Sequence, residues 1–266
     1  MAGPVIAVVD PLDARIAVFR QVRERDVAGR LGLFIAEGDV VLRVLARSPL
    51  YRTQALLIAE KRIEALAPLI ARFDDSVAVY SAPQSVMDFV VGFPIHRGIL
   101  AAGIRGRARA PAALLANLSG PSLVLGLFGV SNHDNMGGIF RNAAAFGAKA
   151  VILDAACCDP LYRKAIRVSV GASLMVPFAR LATGDDPVEL FAGGGFETLA
   201  LTPSGAAALS ATVRPSRAAV LLGAEGAGLP AGILARSRTV GIPMRGGFDS
   251  LNVATASGIV LHYLSQ

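Results

Sequence analysis

The sequence predicts an α/β fold in two parts, a small α/β domain followed by a larger domain built around a parallel sheet. Short apolar runs alternate with helix-like stretches along the chain, which is the order expected of α/β proteins. In the second half these runs are continuously apolar, as in strands that are buried on both faces of a parallel sheet. With 266 residues, of which 53% are hydrophobic, the chain is large enough for two cores.

The first predicted domain comprises residues 1–104. Residues 11–30 read as a charged amphipathic helix, and the apolar run 33–36 follows it. Glu37 and Gly38 then lead into a second helix with one apolar stripe. Strands are predicted at 54–59, 77–81 and 98–104, and further helices at 61–73 and 83–90.

Residues 105–121 are predicted to be an interdomain linker. The segment begins with Arg105, Arg107 and Arg109 among glycine, alanine and proline residues. These arginines could contact phosphate, but a solvated linker is the favoured interpretation. The uncharged stretch 110–133 is long enough to resemble a membrane span, yet glycines and prolines interrupt it repeatedly. We therefore expect no transmembrane segment here.

The second predicted domain comprises residues 122–266. Its apolar strands are expected at 123–128, 150–153, 198–201, 218–222 and 240–243, and the last helix at 251–264. In open parallel sheets, ligands bind outside the carboxyl ends of the strands. The loops that follow these strands are therefore where a functional site is expected.

Charge and cysteine content restrict the class of protein. The net charge of +6 fits a polyanionic partner, and 23 of the 26 basic residues are arginines, which bind phosphate well. An arginine-rich composition can equally follow from a GC-rich genome. Cys157 and Cys158 are adjacent and are the only cysteines, so neither a zinc site nor a disulfide framework is expected. The start of the sequence lacks the basic region of a signal peptide, and we expect a cytoplasmic protein.

The first unusual loop follows the strand predicted at 123–128. Asn135 is expected just before a helix, Gly137 and Gly138 permit close backbone approach, and Arg141 is expected one turn inside the helix. Taken alone, Asn135 reads as a helix N-cap and Arg141 as a solvated helix residue.

Two more unusual loops follow the strands predicted at 218–222 and 240–243. In the first, Glu225 stands among three glycines, an arrangement that is hard to explain by packing. It suits a small ligand, which is slightly favoured over a plain glycine-rich turn. In the second, Ser250 or Asp249 would cap the last helix, and Asn252 would lie in its first turn. The glycine spacing matches neither the dinucleotide fingerprint nor a P-loop.

Together the three loops resemble motifs 1, 2 and 3 of the SpoU, or TrmH-like, family of the SPOUT superfamily. Asn135 and Arg141 have the spacing of motif 1, residues 222–229 resemble motif 2, and 242–244 with 250–254 resemble motif 3. Residues 159–160 and 167–172 are similar to the segment between motifs 1 and 2. The N-terminal part resembles, less closely, the ribosomal-protein-like substrate-binding domain that often precedes this fold.

The resemblance implies a trefoil-knotted C-terminal domain that binds S-adenosylmethionine and methylates a ribose 2′-hydroxyl of RNA without a metal. It implies a homodimer in which Arg141 completes a site at the interface and acts on the 2′-hydroxyl, either as the base or as an anchor for the neighbouring phosphate. Asn135 and Asn252 would fix ribose and loop geometry, Glu225 would orient Arg141 or the motif 3 loop, and Ser250 would hydrogen-bond to substrate or backbone. The cofactor contacts expected from the motifs are Leu222, Gly223, Gly226, Ile242, Met244 and Leu251.

Other functions fit the sequence less well. The additional N-terminal domain favours ribosomal RNA over tRNA as substrate. A non-catalytic RNA-binding protein of the same fold is the second alternative, although such a protein would not need all five polar residues of the motifs. Base methylation is disfavoured by the Ser-Leu-Asn sequence at 250–252, and a Rossmann oxidoreductase by the missing fingerprint.

Overall fold

The structure is a computed structural model that describes residues 3–20, 32–246 and 250–266. Its strands are β1 (Val5–Ala7), β2 (Leu33–Glu37), β3 (Arg52–Ala59), β4 (Ala78–Ala82), β5 (Ile99–Ile104), β6 (Ser122–Leu127), β7 (Ala150–Leu153), β8 (Phe178–Arg180), β9 (Glu197–Leu201), β10 (Ala207–Ala208), β11 (Arg217–Leu222) and β12 (Arg238–Gly241). Its α-helices are α1 (Asp39–Leu45), α2 (Ile63–Ile70), α3 (Gln84–Val91), α4 (Pro111–Ala116), α5 (His133–Ala145), α6 (Arg163–Val168), α7 (Pro187–Gly193), α8 (Ala231–Leu234) and α9 (Val253–Ser265).

The chain divides into two compact units. The first unit comprises residues 1–107 and 161–175, and the second comprises 108–160 and 176–266. Segment 161–175, which lies inside the second domain predicted from the sequence, thus groups with the first unit. The predicted linker 105–121 contains helix α4, whose side chains Leu114 and Leu115 are buried.

The first unit is built on a five-stranded mixed sheet in the order β1-β4-β3-β5-β2. Strands β1, β4 and β3 are parallel, and β5 runs antiparallel to both β3 and β2. The predicted strands 54–59, 77–81 and 98–104 are all present, and the apolar run 33–36 lies in β2, while β1 was not predicted. Of the helix predicted at 11–30, the structure describes a 3-10 helix at Ala14–Phe19, and residues 21–31 lie outside the described residues.

Segment 161–175 is held in the first unit by a buried ion pair. The Arg163 guanidinium donates to the carboxylate of Glu37 at 2.8 Å, and the Glu37 side chain is only 7% exposed. Arg163 also lies over the Phe93 ring, 4.9 Å from its centre. The Ser48 hydroxyl donates to the Leu174 carbonyl at 2.5 Å, at the other end of the segment. These contacts link both ends of the segment to the rest of the first unit.

The second unit contains a seven-stranded parallel sheet in the order β10-β12-β9-β11-β6-β7-β8, which confirms the predicted α/β class with a parallel sheet. The central strands β6 and β11 are buried along almost their whole length, as their continuous apolar sequences predict. Strands β8 and β10 were not predicted, and β12 begins and ends two residues earlier than the strand predicted at 240–243.

Helices α5 and α9 pack closely together on this unit. A Cβ atom added to Gly138 of α5 would lie 2.8 Å from the Cβ atom of Ala254 in α9, so glycine permits the approach. The side-chain amide of Asn142 donates to the Ala254 carbonyl at 2.7 Å and to the Ser257 hydroxyl at 2.9 Å. The motif residues at the start of each helix are thereby brought to the same edge of the sheet. Within the described ranges, no helix has the length and apolar content needed to cross a membrane.

Candidate active site

A cavity of about 390 Å³ opens at the carboxyl edge of the seven-stranded sheet. Its walls come from the ends and following loops of β9, β11 and β12, together with the first turn of α9. The lining residues are Leu201, Thr202, Pro203, Leu222, Gly223, Ala224, Glu225, Gly226, Gly228, Ile242, Met244, Ser250, Leu251, Asn252, Val253 and Ala256. The location is the one that the ligand-binding rule for open parallel sheets predicts.

The structure brings together most of the residues singled out from the sequence. All six residues expected to contact the cofactor line the cavity, as do Glu225, Ser250 and Asn252. The loop after β9, with Thr202 and Pro203, was not singled out. Its strand was predicted correctly, so the rule about carboxyl ends of strands could have identified this loop.

Three side chains from the three motif loops form one hydrogen-bonded group, which we call the polar triad: Asn135, Glu225 and Asn252. The Asn135 amide donates to Glu225 Oε1 at 2.8 Å. The Asn252 amide donates to the same oxygen at 3.0 Å and to Asn135 Oδ1 at 2.8 Å. Glu225 Oε2 has no hydrogen-bond partner among the described residues, so it remains available to accept one from a bound molecule.

The helix caps differ from those predicted. Asn132 caps α5 by accepting from the backbone N–H groups of Asp134 and Asn135, so Asn135 lies inside the helix and is not its cap. Asn252 caps α9 by accepting from the N–H groups of Ala254 and Thr255, so it precedes the first turn. Ser250 therefore does not cap this helix, and Asp249, the other predicted cap, lies outside the described residues. Each asparagine of the polar triad has a position that its helix determines.

Arg141 lies apart from the cavity. It is the ninth residue of α5, more than two turns from the helix start and not one turn as predicted. Its side chain is exposed and forms no hydrogen bond or ion pair with the part of the chain that the structure describes. The cavity and the polar triad therefore form within one chain, whereas Arg141 faces outwards from the same helix that carries Asn135.

The glycines of the loop after β11 determine the shape of the cavity wall. A Cβ atom on Gly223 would lie 2.2 Å from the carbonyl carbon of Gly228, so the loop can fold back on itself only with glycine at this position. Gly226 has a φ of +82°, which favours glycine, and a Cβ atom there would meet nothing within 4 Å. The wall at Gly226 is thus backbone without a side chain, as a closely approaching ligand requires.

Comparison with known proteins identifies the family. The sequence profile of the SpoU rRNA methylase family matches residues 122–262, more than half of the chain. The chain belongs to the SpoU rRNA methylase family. A Mycobacterium tuberculosis protein, described as an uncharacterized tRNA/rRNA methyltransferase, is 41% identical across 96% of this chain and 90% of its own length. The predicted family is thus confirmed.

Solved structures of similar fold cover nearly the whole chain. An AdoMet-bound rRNA methyltransferase from Sinorhizobium meliloti matches 98% of this chain and 97% of its own, with a TM-score of 0.79 and 22% identity. A structure described as an RNA 2′-O ribose methyltransferase matches 97% and 98%, with a TM-score of 0.77 and 22% identity. At this level of identity the likeness concerns the fold, and it includes both units of the SpoU-family protein.

Proposed function

We propose that this SpoU-family protein transfers the methyl group of S-adenosylmethionine to a ribose 2′-hydroxyl of structured RNA, with ribosomal RNA favoured over tRNA. The observation that carries the proposal is the polar triad, which joins all three motif loops beside one cavity. The family name and the Sinorhizobium meliloti structure both refer to rRNA, whereas the Mycobacterium tuberculosis relative is described for both RNA classes.

The residues of the cavity fit S-adenosylmethionine, the cofactor bound in the Sinorhizobium meliloti structure. The volume of about 390 Å³ lies within the range of small-molecule sites. Gly223, Ile242 and Leu251 would contact the cofactor through their backbones, with Leu222, Gly226 and Met244 beside them. When bound, the cofactor supplies a methyl group on a positively charged sulfur, which is already a good electrophile. The chain's task is therefore to align the ribose oxygen and to exclude water.

Arg141 is the residue that we propose acts on the substrate. A protonated guanidinium offers only hydrogen-bond donors. Either the site removes its proton and Arg141 then takes the proton of the 2′-hydroxyl, or Arg141 binds the adjoining phosphate and another group takes that proton. Its exposed position on α5 suits a role in a second subunit, where it would complete the partner's cavity. This arrangement makes the homodimer the active form.

The polar triad is proposed to act as the fixed wall against which the ribose is placed. Asn135 and Asn252 share Glu225 Oε1, which leaves Oε2 to accept from a hydroxyl of a bound molecule. Ser250 lies at the cavity and is proposed to hydrogen-bond to the substrate or to the loop.

Three further features belong to the proposal: a trefoil knot in the second unit, RNA binding by the first unit as by a ribosomal-protein-like domain, and a cytoplasmic location.

The test is transfer of labelled methyl from S-adenosylmethionine to unmodified ribosomal RNA and, separately, to tRNA. Nuclease digestion would identify the product, and we expect 2′-O-methylnucleosides from ribosomal RNA. Arg141→Ala should lower turnover at least about 100-fold, since a misplaced or missing orienting group costs that much. Arg238→Ala is the matched control. Arg238 pairs with Glu197, and both residues begin their strands, at the sheet edge opposite the cavity.

A label in base-methylated nucleosides would refute the ribose proposal, and a label in tRNA alone would refute the preference for ribosomal RNA. Near-normal turnover of Arg141→Ala would refute its role. The shared site is tested by mixing Arg141→Ala with Gly223→Ala. The cofactor concentration is kept below both Kd values, where Gly223→Ala alone keeps at most about a tenth of wild-type turnover. Half of the dimers that form at random contain one subunit of each variant. In these mixed dimers, one of the two sites has both an intact cavity and an intact arginine. About a quarter of all sites should therefore be active. No recovery in demonstrably mixed dimers would contradict a shared site.

A further inference from the structure

Asp154, the residue directly after β7, connects two loops at the carboxyl edge of the sheet. Its Oδ2 atom accepts from the backbone N–H of Gly129, in the loop after β6, at 3.0 Å. Its Oδ1 atom accepts from the backbone N–H of Cys157, in its own loop, at 2.8 Å. A carboxylate that accepts two backbone N–H bonds holds both segments in one geometry, because charge-assisted bonds are short and strong.

Further hydrogen bonds hold the two loops in place. The Cys158 N–H donates to the Val130 carbonyl at 2.9 Å, again between the two loops. Arg180, the last residue of β8, donates to the carbonyls of Asp154, Cys157 and Cys158 at 2.6, 2.9 and 3.3 Å. One guanidinium therefore holds the loop after β7 from the outer side, while Asp154 holds the loop after β6.

The loop after β6 reaches the cavity by two routes. Gly129 has a φ of +68°, and a Cβ atom there would lie 3.1 Å from the Cβ atom of Ala224, a cavity-lining residue. Three residues later, Asn132 caps α5 and so determines where Asn135 meets Glu225. Asp154 itself is not among the residues that line the cavity.

We infer that Asp154 is a positioning residue of the methyltransferase site, acting through the loop after β6 on the cavity wall and on the polar triad. Without its carboxylate, the Gly129 N–H loses its acceptor, and a backbone at positive φ loses the bond that holds it. Ala224 and Asn135 then lose the support of that loop. The inference rests on the proposed function, in that the cavity is taken to hold S-adenosylmethionine.

The test is the Kd of the full-length protein for S-adenosylmethionine, measured by calorimetry, with turnover per bound cofactor as a second readout. For Asp154→Ala we expect Kd to rise about 10-fold and turnover per bound cofactor to fall about 10-fold, as for small misplacements of a site. If Asp154 only stabilised the fold, its substitution would lower the folded fraction and the binding stoichiometry. It would then change neither the Kd nor the turnover per bound cofactor. Asp154→Asn keeps the shape and one acceptor oxygen, so it should raise Kd about threefold and remain informative if the alanine variant does not fold.

Asp186→Ala is the matched control. Asp186 also accepts from two backbone N–H groups of the second unit, those of Val188 and Glu189, but it caps α7 and does not line the cavity. We expect the Kd of this control variant to stay within twofold of wild type.

An unchanged Kd and turnover in folded Asp154→Ala, or in Asp154→Asn if only that variant folds, overturns the inference. If wild type binds cofactor but methylates no RNA, the proposed reaction is wrong, and the Kd comparison still decides the role of Asp154. Failure of wild type to bind cofactor overturns both.

Discussion

Gly223→Ala adds one methyl group at the most crowded point of the cavity wall. The new Cβ atom would lie 2.2 Å from the Gly228 carbonyl carbon and 2.4 Å from the Leu229 nitrogen, whereas ordinary contact begins at 3.4 Å. Because the obstructing atoms belong to the backbone, the whole turn must move by about 1 Å, and core overpacking of this kind costs about 1–3 kcal/mol. The same movement would displace the wall that ends at Gly228, whose N–H closes the turn on the Ala224 carbonyl at 3.0 Å.

We expect Gly223→Ala to weaken binding of S-adenosylmethionine at least about 10-fold, equivalent to about 1.4 kcal/mol. Calorimetric titration of the full-length protein measures this directly, and urea unfolding measures the accompanying loss of stability. Gly232→Ala in α8 is the matched control, because a Cβ atom there meets nothing within 4 Å. It should leave affinity unchanged and stabilise the fold by about 0.4–1 kcal/mol. If Gly223→Ala bound cofactor within threefold of wild type, the argument from crowding would be wrong.

Three further predictions concern stability and are measured by urea unfolding. Arg163→Ala leaves the buried Glu37 carboxylate without its partner and should lower the free energy of unfolding by about 3 kcal/mol. The further change Glu37→Gln should restore part of this loss. A loss below about 1 kcal/mol would contradict the contribution of the pair. Burial raises the pKa of Cys157 to about 12 and that of Cys158 to about 11. The unfolded thiols lose their protons first, so stability should fall from about pH 9 upwards, by as much as about 1.4 kcal/mol per pH unit for each thiol. The double alanine variant should lack this slope, and an unchanged slope would count against the raised pKa values. Gly138→Ala should destabilise the protein by about 1–2 kcal/mol, because the contact between α5 and α9 must open. This loss should exceed the gain from alanine's higher helix propensity. A net gain in stability would show that the two helices separate at little cost.

The strands that were predicted well are those in which consecutive residues are apolar and buried. Strand β11 was predicted at 218–222 and found at Arg217–Leu222, since a fully buried parallel strand needs an unbroken apolar run. Strand β8 is only Phe178–Arg180 at the edge of the sheet, too short for any pattern to reveal. The sequence likewise contains nothing that assigns segment 161–175 to the first unit, because that depends on contacts with residues 70 to 126 positions away.

The site was predictable at the level of loops but less so at the level of geometry. Glu225 and its glycines were found because an acidic residue among glycines after an apolar strand has no packing explanation. The α5 cap was assigned to Asn135 instead of Asn132, because two asparagines three residues apart are equally suited to capping and only the backbone path decides. Arg141 was placed too near the helix start for the same reason. The hydrogen bonds of the polar triad, which join positions 27 to 117 residues apart, could not be inferred from spacing.

The return of residues 161–175 to the first unit means that the chain passes between the units three times, near residues 107, 160 and 175. A domain joined by a single linker can be exchanged by one recombination event, but no single cut separates these two units. Removing the N-terminal residues would strip segment 161–175 of the strand and the carboxylate that hold it, in the middle of the region matched by the family profile. Gene fusions or truncations that treat the N-terminal part as an accessory module would therefore leave an incomplete methylase.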